Sequence, residues 1–272
     1  MTTKAQPPRG ERYRVIADEL RAAISRGDYA QGAQLPTEME LAEQYRVTRP
    51  TVRQAQDLLE AEGLLVRIPR QGSFVRVYTP MTWHMTHGAD PGHLGQVPVD
   101  SYSADVEAAG YSHRQEITVG IDKGSRKLDI YTLAELLHLK DDDLVLARRR
   151  IRFIGPNSDS PANVPESIYD SYYPLDLVQD TPIMAPESVH TVRILAEKGY
   201  TATRITDVCI PRMANSSEQE RLQLAPVTPV LERIRTTYTS KASPIYVQHV
   251  ITPGNGARFV YDIDFARNGS TK

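Results

Sequence analysis

The sequence predicts an α+β chain in two unequal parts: a small N-terminal helical unit closed by a β-hairpin, then a larger, mainly antiparallel sheet with helices. Three observations carry this. Apolar residues recur at helical spacing in three segments before residue 63, with Gly27 and Gly63 placed as stops. Two short β-prone runs then flank Pro69-Arg70-Gln71-Gly72. Beyond residue 103, strand-like runs alternate with short helical ones and end in hairpin-length connections.

A chain of 272 residues has room for two domains, and 40% hydrophobic with 24% charged residues is ordinary for a globular protein. No apolar core follows Met1 and no apolar run approaches membrane-spanning length, so a cytoplasmic location is expected, with no membrane partner. The single cysteine, Cys209, has no partner for an internal disulfide, which fits a reducing compartment. No nucleophile motif surrounds it, and it is expected as buried filler. The net charge of −2 hides an uneven distribution: residues 1–78 hold 12 Lys/Arg against 10 Asp/Glu, and the remainder 20 against 24.

Residues 1–10 contain Pro7, Pro8 and Gly10 without periodicity and read as a flexible arm; the first domain is expected over 11–78. Tyr13, Ile16, Ala17, Leu20 and Ile24 then mark an amphipathic helix ending at Gly27. After a loop over 28–36, Thr37-Glu38-Met39-Glu40 is a capping box opening a short helix with Leu41, Ala42 and Tyr45 inward. Arg46-Val47 turns the chain into a third helix. Thr48 is expected to cap it, Pro50 suits its first turn, and Val52, Ala55, Leu58 and Leu59 form its apolar stripe.

The opposite face of that helix carries Arg49 and Arg53, four apart, with Thr51 between them and Gln54 and Gln56 nearby. These side chains suit a DNA major groove: Arg donates two bonds to guanine, Gln pairs with adenine, and Thr touches a phosphate or a thymine methyl. The alternative is an ordinary amphipathic helix with a solvated basic face. The neighbours favour DNA. Arg46, Arg49, Arg53, Arg67, Arg70 and Arg76 fall in one short span, with Asp57, Glu60 and Glu62 at the far end of the helix. The runs at 64–68 and 73–77 make a hairpin with Arg70 and Gly72 at its tip, which completes a winged helix-turn-helix.

Residues 11–77 resemble the DNA-binding domain of the GntR family of bacterial transcription regulators. The resemblance rests on Leu35-Pro36-Thr37-Glu38, Glu40-Leu41-Ala42, Val47-Thr48-Arg49-Pro50-Thr51-Val52-Arg53-Gln54-Ala55, Leu58, Glu62-Gly63-Leu64 and Gln71-Gly72-Ser73-Phe74-Val75. It implies that Thr48, Arg49, Thr51 and Arg53 contact bases and phosphates, with Gln71 and Gly72 at the wing tip. Together with the residue reading, the DNA-contacting set is Thr37, Arg46, Thr48, Arg49, Pro50, Thr51, Arg53, Gln54, Arg70, Gln71 and Gly72. The chain departs from the family at Met39, where Arg is frequent, and at Pro50.

Residues 79–102 are rich in Pro and Gly and read as an interdomain linker. His84, His87 and His93 lie there without a carboxylate or cysteine at ligand spacing, so no metal site is assigned. The second domain, over 103–267, is expected to contain a helix at 103–110, a strand at 114–121, a helix at 131–139 and a long strand at 144–154. On that strand Val145, Ala147, Ile151 and Phe153 share one face, and Arg148, Arg150 and Arg152 the other. Three arginines on one face either lie in water, join a dimer salt-bridge network, or surround an anion. Further strands are expected at 167–174, 200–213, 230–239, 244–252 and 258–264, with helices at 188–198 and 217–224, the helices covering one side of the sheet. Asp141-Asp142-Asp143 reads as a solvated turn rather than a metal cluster.

This second part resembles the UTRA domain, the effector-binding module of the HutC subfamily, whose fold is like that of chorismate lyase. The matching residues are Leu146, Arg150-Ile151-Arg152, Ser171-Tyr172-Tyr173-Pro174, Gly199-Tyr200, Leu222 to Leu224, Val230-Leu231-Glu232-Arg233-Ile234 and Pro244-Ile245. The resemblance implies that Arg150 and Arg152 line an effector cleft with Ser171 and Tyr173 beside them. Tyr246 joins this set, standing where sugar-phosphate-responsive members have Glu. The expected protein is a homodimeric repressor, released from an inverted-repeat DNA operator by a small, anionic effector. The alternative is a ligand-independent repressor whose second domain only dimerises. No nucleophile motif, paired carboxylates or phosphate loop supports an enzyme, and no cofactor is expected.

Overall fold

The computed structural model describes residues 11–68, 70–76, 81–85, 101–155, 163–224, 228–254 and 256–263. The expected arm at 1–10, Pro69, and most of the expected linker, with His87 and His93, lie outside the described residues.

Helix α1 (Arg12–Arg26) buries Ile16, Ala17 and Leu20 and ends at Gly27, whose φ of 83° permits the left-handed cap. Helix α2 (Glu38–Tyr45) starts on the expected capping box: the Thr37 hydroxyl accepts from the Glu40 N–H, and the Glu40 carboxylate accepts from the Thr37 N–H. It stops at Arg46, in left-handed conformation at φ 51°. Helix α3 (Arg49–Ala61) packs Val52, Ala55 and Leu59 against α1 and α2, in a core with Leu20, Leu41 and Leu65. The hairpin pairs β1 (Leu65–Ile68) with β2 (Gly72–Val75), from Leu65 opposite Val75 to Ile68 opposite Gly72.

Two details of α3 differ from expectation. Thr48 makes no side-chain cap; its hydroxyl instead bonds that of Thr51 at 3.0 Å. The two hydroxyls are tied to each other, and the Thr51 and Val52 N–H groups donate to the Thr48 carbonyl at 3.0 and 3.3 Å. Gln56 does not lie on the outer face but is 1% exposed, accepting from the Ser73 hydroxyl at 3.3 Å. Seven residues is about two full turns, so Gln56 stands nearly in line with Arg49 along the helix; it is buried because the wing, through Ser73, covers that end of the face.

The second part is built on a six-stranded sheet in the order β4-β7-β8-β11-β10-β9, with every pairing antiparallel. Its strands are β4 (Ser112–Lys123), β7 (Leu144–Gly155), β8 (Val164–Pro174), β9 (Arg204–Met213), β10 (Pro229–Tyr238) and β11 (Pro244–Pro253). A small β5–β6 pair (Lys127–Leu128 with Tyr131–Thr132) precedes helix α5, so the helix expected at 131–139 is only Leu133–Leu137. Helices cover both faces rather than one. α5 sets Leu133 and Leu137 against Val145, Ala147 and Tyr172. On the opposite face, α6 (Leu175–Val178) and α7 (Thr191–Glu197) set Val178 and Leu195 against Leu146, Tyr173 and Tyr246. The sequence sign is the unbroken buried run Val145-Leu146-Ala147, since a strand covered on both faces does not alternate. Helix α8 (Ser216–Arg221) joins β9 to β10.

Part of the expected linker is ordered structure. Met81–His84 forms β3, which pairs in parallel with β12 (Ala257–Val260), so the last expected strand lies outside the main sheet. Helix α4 (Ser101–Ala108) follows. Tyr102 and Val106 of α4 and Met81 of β3 share one apolar cluster with Val66 and Phe74 of the wing. The Tyr111 hydroxyl also donates to Gln31 at 2.8 Å, a second tie between the two parts.

Candidate nucleic-acid interface and ligand cavity

The outward face of α3 presents Arg49 and Arg53, with side chains 64% and 60% exposed. Both reach Glu38 of α2. Arg53 forks onto its carboxylate at 2.9 and 3.1 Å, and Arg49 approaches at 3.5 Å. These hydrogen bonds, the one from Arg53 foremost, hold the Glu38 carboxyl below its usual range. Glu38 belongs to the matched sequence run, yet its role as tether depends on how α2 and α3 cross and is not readable from spacing. Thr48, Pro50 and Gln54 are exposed on the same helix, and Thr51 is half-buried. Thr37 is exposed, but its hydroxyl donates to Glu40 at 2.8 Å, so its first task is the cap.

At the wing tip Arg70, Gln71 and Gly72 are exposed, with Arg70 at φ 66° and Gly72 at φ 120°. The glycine is required by that φ, which L side chains rarely adopt; a Cβ there would also stand 2.8 Å from the Gln34 amide nitrogen, which donates to the Gln71 carbonyl at 2.7 Å. Arg46 and Arg70 have no side-chain hydrogen bond or ion pair among the described residues, so both charges face outward uncommitted. Arg67 is spent differently. It pairs with Asp57 at 2.6 Å and donates to the Arg53 carbonyl at 3.1 Å, fixing the wing to the acidic end of α3.

The β7 arginines share a face, as their alternation predicts, but their hydrogen-bond partners differ. Arg148 is fully buried and donates to the carbonyls of Ile183, Ala185 and Glu187. Arg150 is 8% exposed and donates to the Ser171 hydroxyl at 3.0 Å. Tyr173 and Tyr246 are buried against each other, with ring centroids 5.4 Å apart, under α6 and α7. Burial pushes the Tyr246 phenol well above its ordinary value.

Arg152 points into a cavity of about 120 Å³. Its guanidinium lies over the rings of Tyr169 and Tyr102, at 3.8 and 4.1 Å from their centroids. The floor comes from the sheet: Ser167 and Tyr169 of β8, Val250 and Thr252 of β11, and Arg233 and Arg235 of β10. The register explains the gathering, for Arg233 stands opposite Val250 and Val250 opposite Tyr169 in one row across three strands. The roof is Trp83, Tyr102 and Phe259, from β3, α4 and β12. Glu166 is buried at the wall and its carboxyl is raised by that burial. Arg235 is held by Asp207 at 2.7 and 2.6 Å and by the Met85 carbonyl. Burial would lift the Asp207 carboxyl, but the bonds from Arg235 outweigh it and leave it below its usual range.

Of the residues expected around an effector, Arg152 alone lines this cavity. Arg150 and Ser171 adjoin it through Tyr169, over whose ring Arg150 lies at 5.8 Å, whereas Tyr173 and Tyr246 pack within the apolar cover. Sequence reasoning missed Arg233 and Arg235, although they alternate on β10 as Arg150 and Arg152 do on β7. It also missed Trp83 and Tyr102, which sit in the segment without periodicity. Cys209 is exposed rather than buried, 3.7 Å from the Tyr261 hydroxyl. No cluster of three or more metal-ligating side chains occurs among the described residues.

A winged helix-turn-helix with an outward basic face, joined to a sheet with an arginine-bearing cavity, defines a class: a DNA-binding regulator with a small-molecule module. Comparison with known proteins agrees. The model of bacterial regulatory proteins of the gntR family matches residues 12–75, and that of the UTRA domain matches residues 131–258. An HTH-type transcriptional regulator of Streptomyces coelicolor is 30% identical over 266 residues, 95% of this chain and 94% of that one. The HTH-type transcriptional repressor NagR of Bacillus subtilis is 25% identical over 258 residues, 93% of this chain and 94% of that one. The crystal structure of PhnF from Mycobacterium smegmatis shares the fold at a TM-score of 0.53, with 20% identity over 92% of this chain and 99% of that one. The chain belongs to the GntR family of bacterial regulatory proteins and carries a UTRA domain. It is a DNA-binding transcriptional regulator and not an enzyme. No helix among the described residues is long and apolar enough to cross a membrane.

Proposed function

We propose that the protein is a homodimeric repressor of the HutC type, which binds an inverted-repeat operator and leaves it when a small anionic effector enters the second domain. One observation supports this most: the basic face of α3 and the tip Arg70 are exposed while the cavity wall packs on the same wing. In this reading Arg49, Arg53 and Gln54 meet base edges. Thr48, Thr51, Arg46 and Arg70 meet phosphates, with Gln71 and Gly72 letting the wing backbone approach closely, Pro50 setting the first turn, and Thr37 holding α2. Two copies place two such faces on successive grooves of one duplex.

The link between sites is short. Arg152 stacks on Tyr102, Tyr102 stacks on Trp83 at 5.4 Å, and Tyr102 clusters with Val66 and Phe74 of the wing. A guest that draws Arg152 away from Tyr102 changes what supports the wing, and DNA must weaken guest binding by the same factor. Electrophoretic mobility shifts on a matched and a scrambled operator test the interface. Arg49→Ala and Arg53→Ala should each cost about 1–3 kcal/mol on the matched site only, and Arg70→Ala should weaken both about equally. Equal losses on both DNAs for Arg49→Ala would remove its base-reading role. Sedimentation of the free chain as a monomer at working concentration would remove the dimer.

A further inference from the structure

Among the charged side chains at the cavity, Arg233 is the one whose partners are missing. It is 5% exposed, and its Nε and Nη1 have no hydrogen-bond acceptor among the described residues. The nearest carboxylate, Asp207, stands 3.9 Å away and is already forked by Arg235 at 2.7 and 2.6 Å. A guanidinium withdrawn from water without acceptors carries the full desolvation cost of its N–H groups. The neighbouring arginines are better compensated: Arg235 is bonded at both ends, and Arg152 is sandwiched on Tyr102 and Tyr169. Among the described residues, and beyond the long contact with Asp207, Arg233 has only the Phe259 ring, 6.0 Å from its guanidinium carbon, so it is the least compensated cation at the cavity and calls for one negative charge.

The rest of the wall specifies the remainder of the guest. Trp83, Tyr102, Tyr169 and Phe259 supply ring faces, and Val250 and Met85 supply apolar edges. Aromatic walls prefer a flat, offset partner. The volume of about 120 Å³ is close to the size that holds benzene, roughly 150 Å³ for an apolar cavity. Asp105 at the rim and Glu166 in the wall oppose a second negative charge, which argues against a dianion such as a phosphate monoester. We propose that the cavity binds a single-ring aromatic carboxylate, with its carboxylate accepting from Arg233 and its ring against Trp83, Tyr169 and Phe259. This deepens the effector reading above and rests on it only for the consequence of binding, not for binding itself.

The chain has one tryptophan, and it is Trp83 in the roof, so its emission reports on the cavity directly. Full-length protein is titrated with benzoate, with benzamide as the uncharged match and acetate as the charge without the ring. Benzoate should change Trp83 emission saturably, and benzamide and acetate at equal concentration should not. Arg233→Met should weaken benzoate by about tenfold or more, the usual scale for losing one side of a buried charged pair. Arg233→Lys, which keeps the charge and guards against misfolding as the explanation, should retain most of the affinity. No saturable response in folded wild-type protein, or equal benzoate affinity in Arg233→Met, would overturn the proposal. Benzoate binding without operator release would support this inference while removing ligand-relieved repression. Release by other metabolites with no benzoate binding would do the opposite.

Discussion

Arg49 and Arg53 on α3, and Arg148, Arg150 and Arg152 on β7, are alike in residue type and in regular spacing along one face. Their surroundings make them opposites. The helix pair is more than half exposed and shares a single carboxylate, Glu38, in a contact water can replace. The strand arginines are set into the sheet and held by fixed partners: loop carbonyls for Arg148, a serine hydroxyl for Arg150, and two tyrosine rings for Arg152, one of which Arg150 also approaches. Periodicity tells which residues share a face; the element laid over that face decides whether their charge is offered outward or consumed inside. The first set can exchange Glu38 for water or another anion at small cost, while the second cannot move without disturbing the core.

The sharpest way to break this contrast is at Arg148. Arg148→Met should lower unfolding stability by about 3 kcal/mol, because three backbone carbonyls lose their donor in a buried site. The urea midpoint measures it, and a shift within error would make the arginine a bystander. At the other extreme, Glu38→Gln should leave the midpoint nearly unchanged. It should tighten binding to scrambled DNA a few-fold, by removing a negative charge from the basic face, and lower the matched-to-scrambled ratio by letting Arg53 wander. An unchanged ratio in mobility shifts would show that the tether orients nothing.

Acid offers the smallest effect and a test of sign. Burial would lift the carboxyls of Glu232 and Glu218, but hydrogen bonds outweigh it, from His249 and Arg212 onto Glu232 and from Arg212 onto Glu218, so both titrate below their ordinary range. Their stabilisation is present above the unfolded value and is lost as pH falls through the folded one, below about pH 4. Glu166 and Asp170 are raised by burial, so folding takes up protons there and stability rises as pH falls through their raised values toward the ordinary carboxylate range. Thermal melts should therefore pass through a shallow maximum on the mildly acid side, and Glu166→Gln should flatten the rise. A monotonic fall from neutrality would contradict the buried carboxyls.

The helical part was legible because its information is local. Caps at Thr37 and Gly27, a proline in the first turn of α3, and apolar residues three and four apart all act within one or two turns. What sequence reading missed depends on distant chain. Met81–His84 has no pattern of its own because its partner, Ala257–Val260, lies more than 170 positions away and pairs in parallel. Gln56 reads as surface until the wing supplies Ser73 beside it. Of the cavity, Arg152 could be anticipated from its own strand, but Arg233, Tyr169 and Trp83 meet it only through register across the sheet and a roof added from outside.

Two of the residues held at positive φ are arginines with outward charge: Arg46 in the turn before α3, at 51°, and Arg70 at the wing tip, at 66°. A side chain in that conformation costs on the order of 1 kcal/mol relative to glycine. At these two points the demands of folding and of holding a polyanion run against each other. Glycine would make a sturdier molecule and, on the proposed reading, a weaker grip, so selection for thermal robustness alone would erode two of the positive charges proposed to seat the protein on DNA.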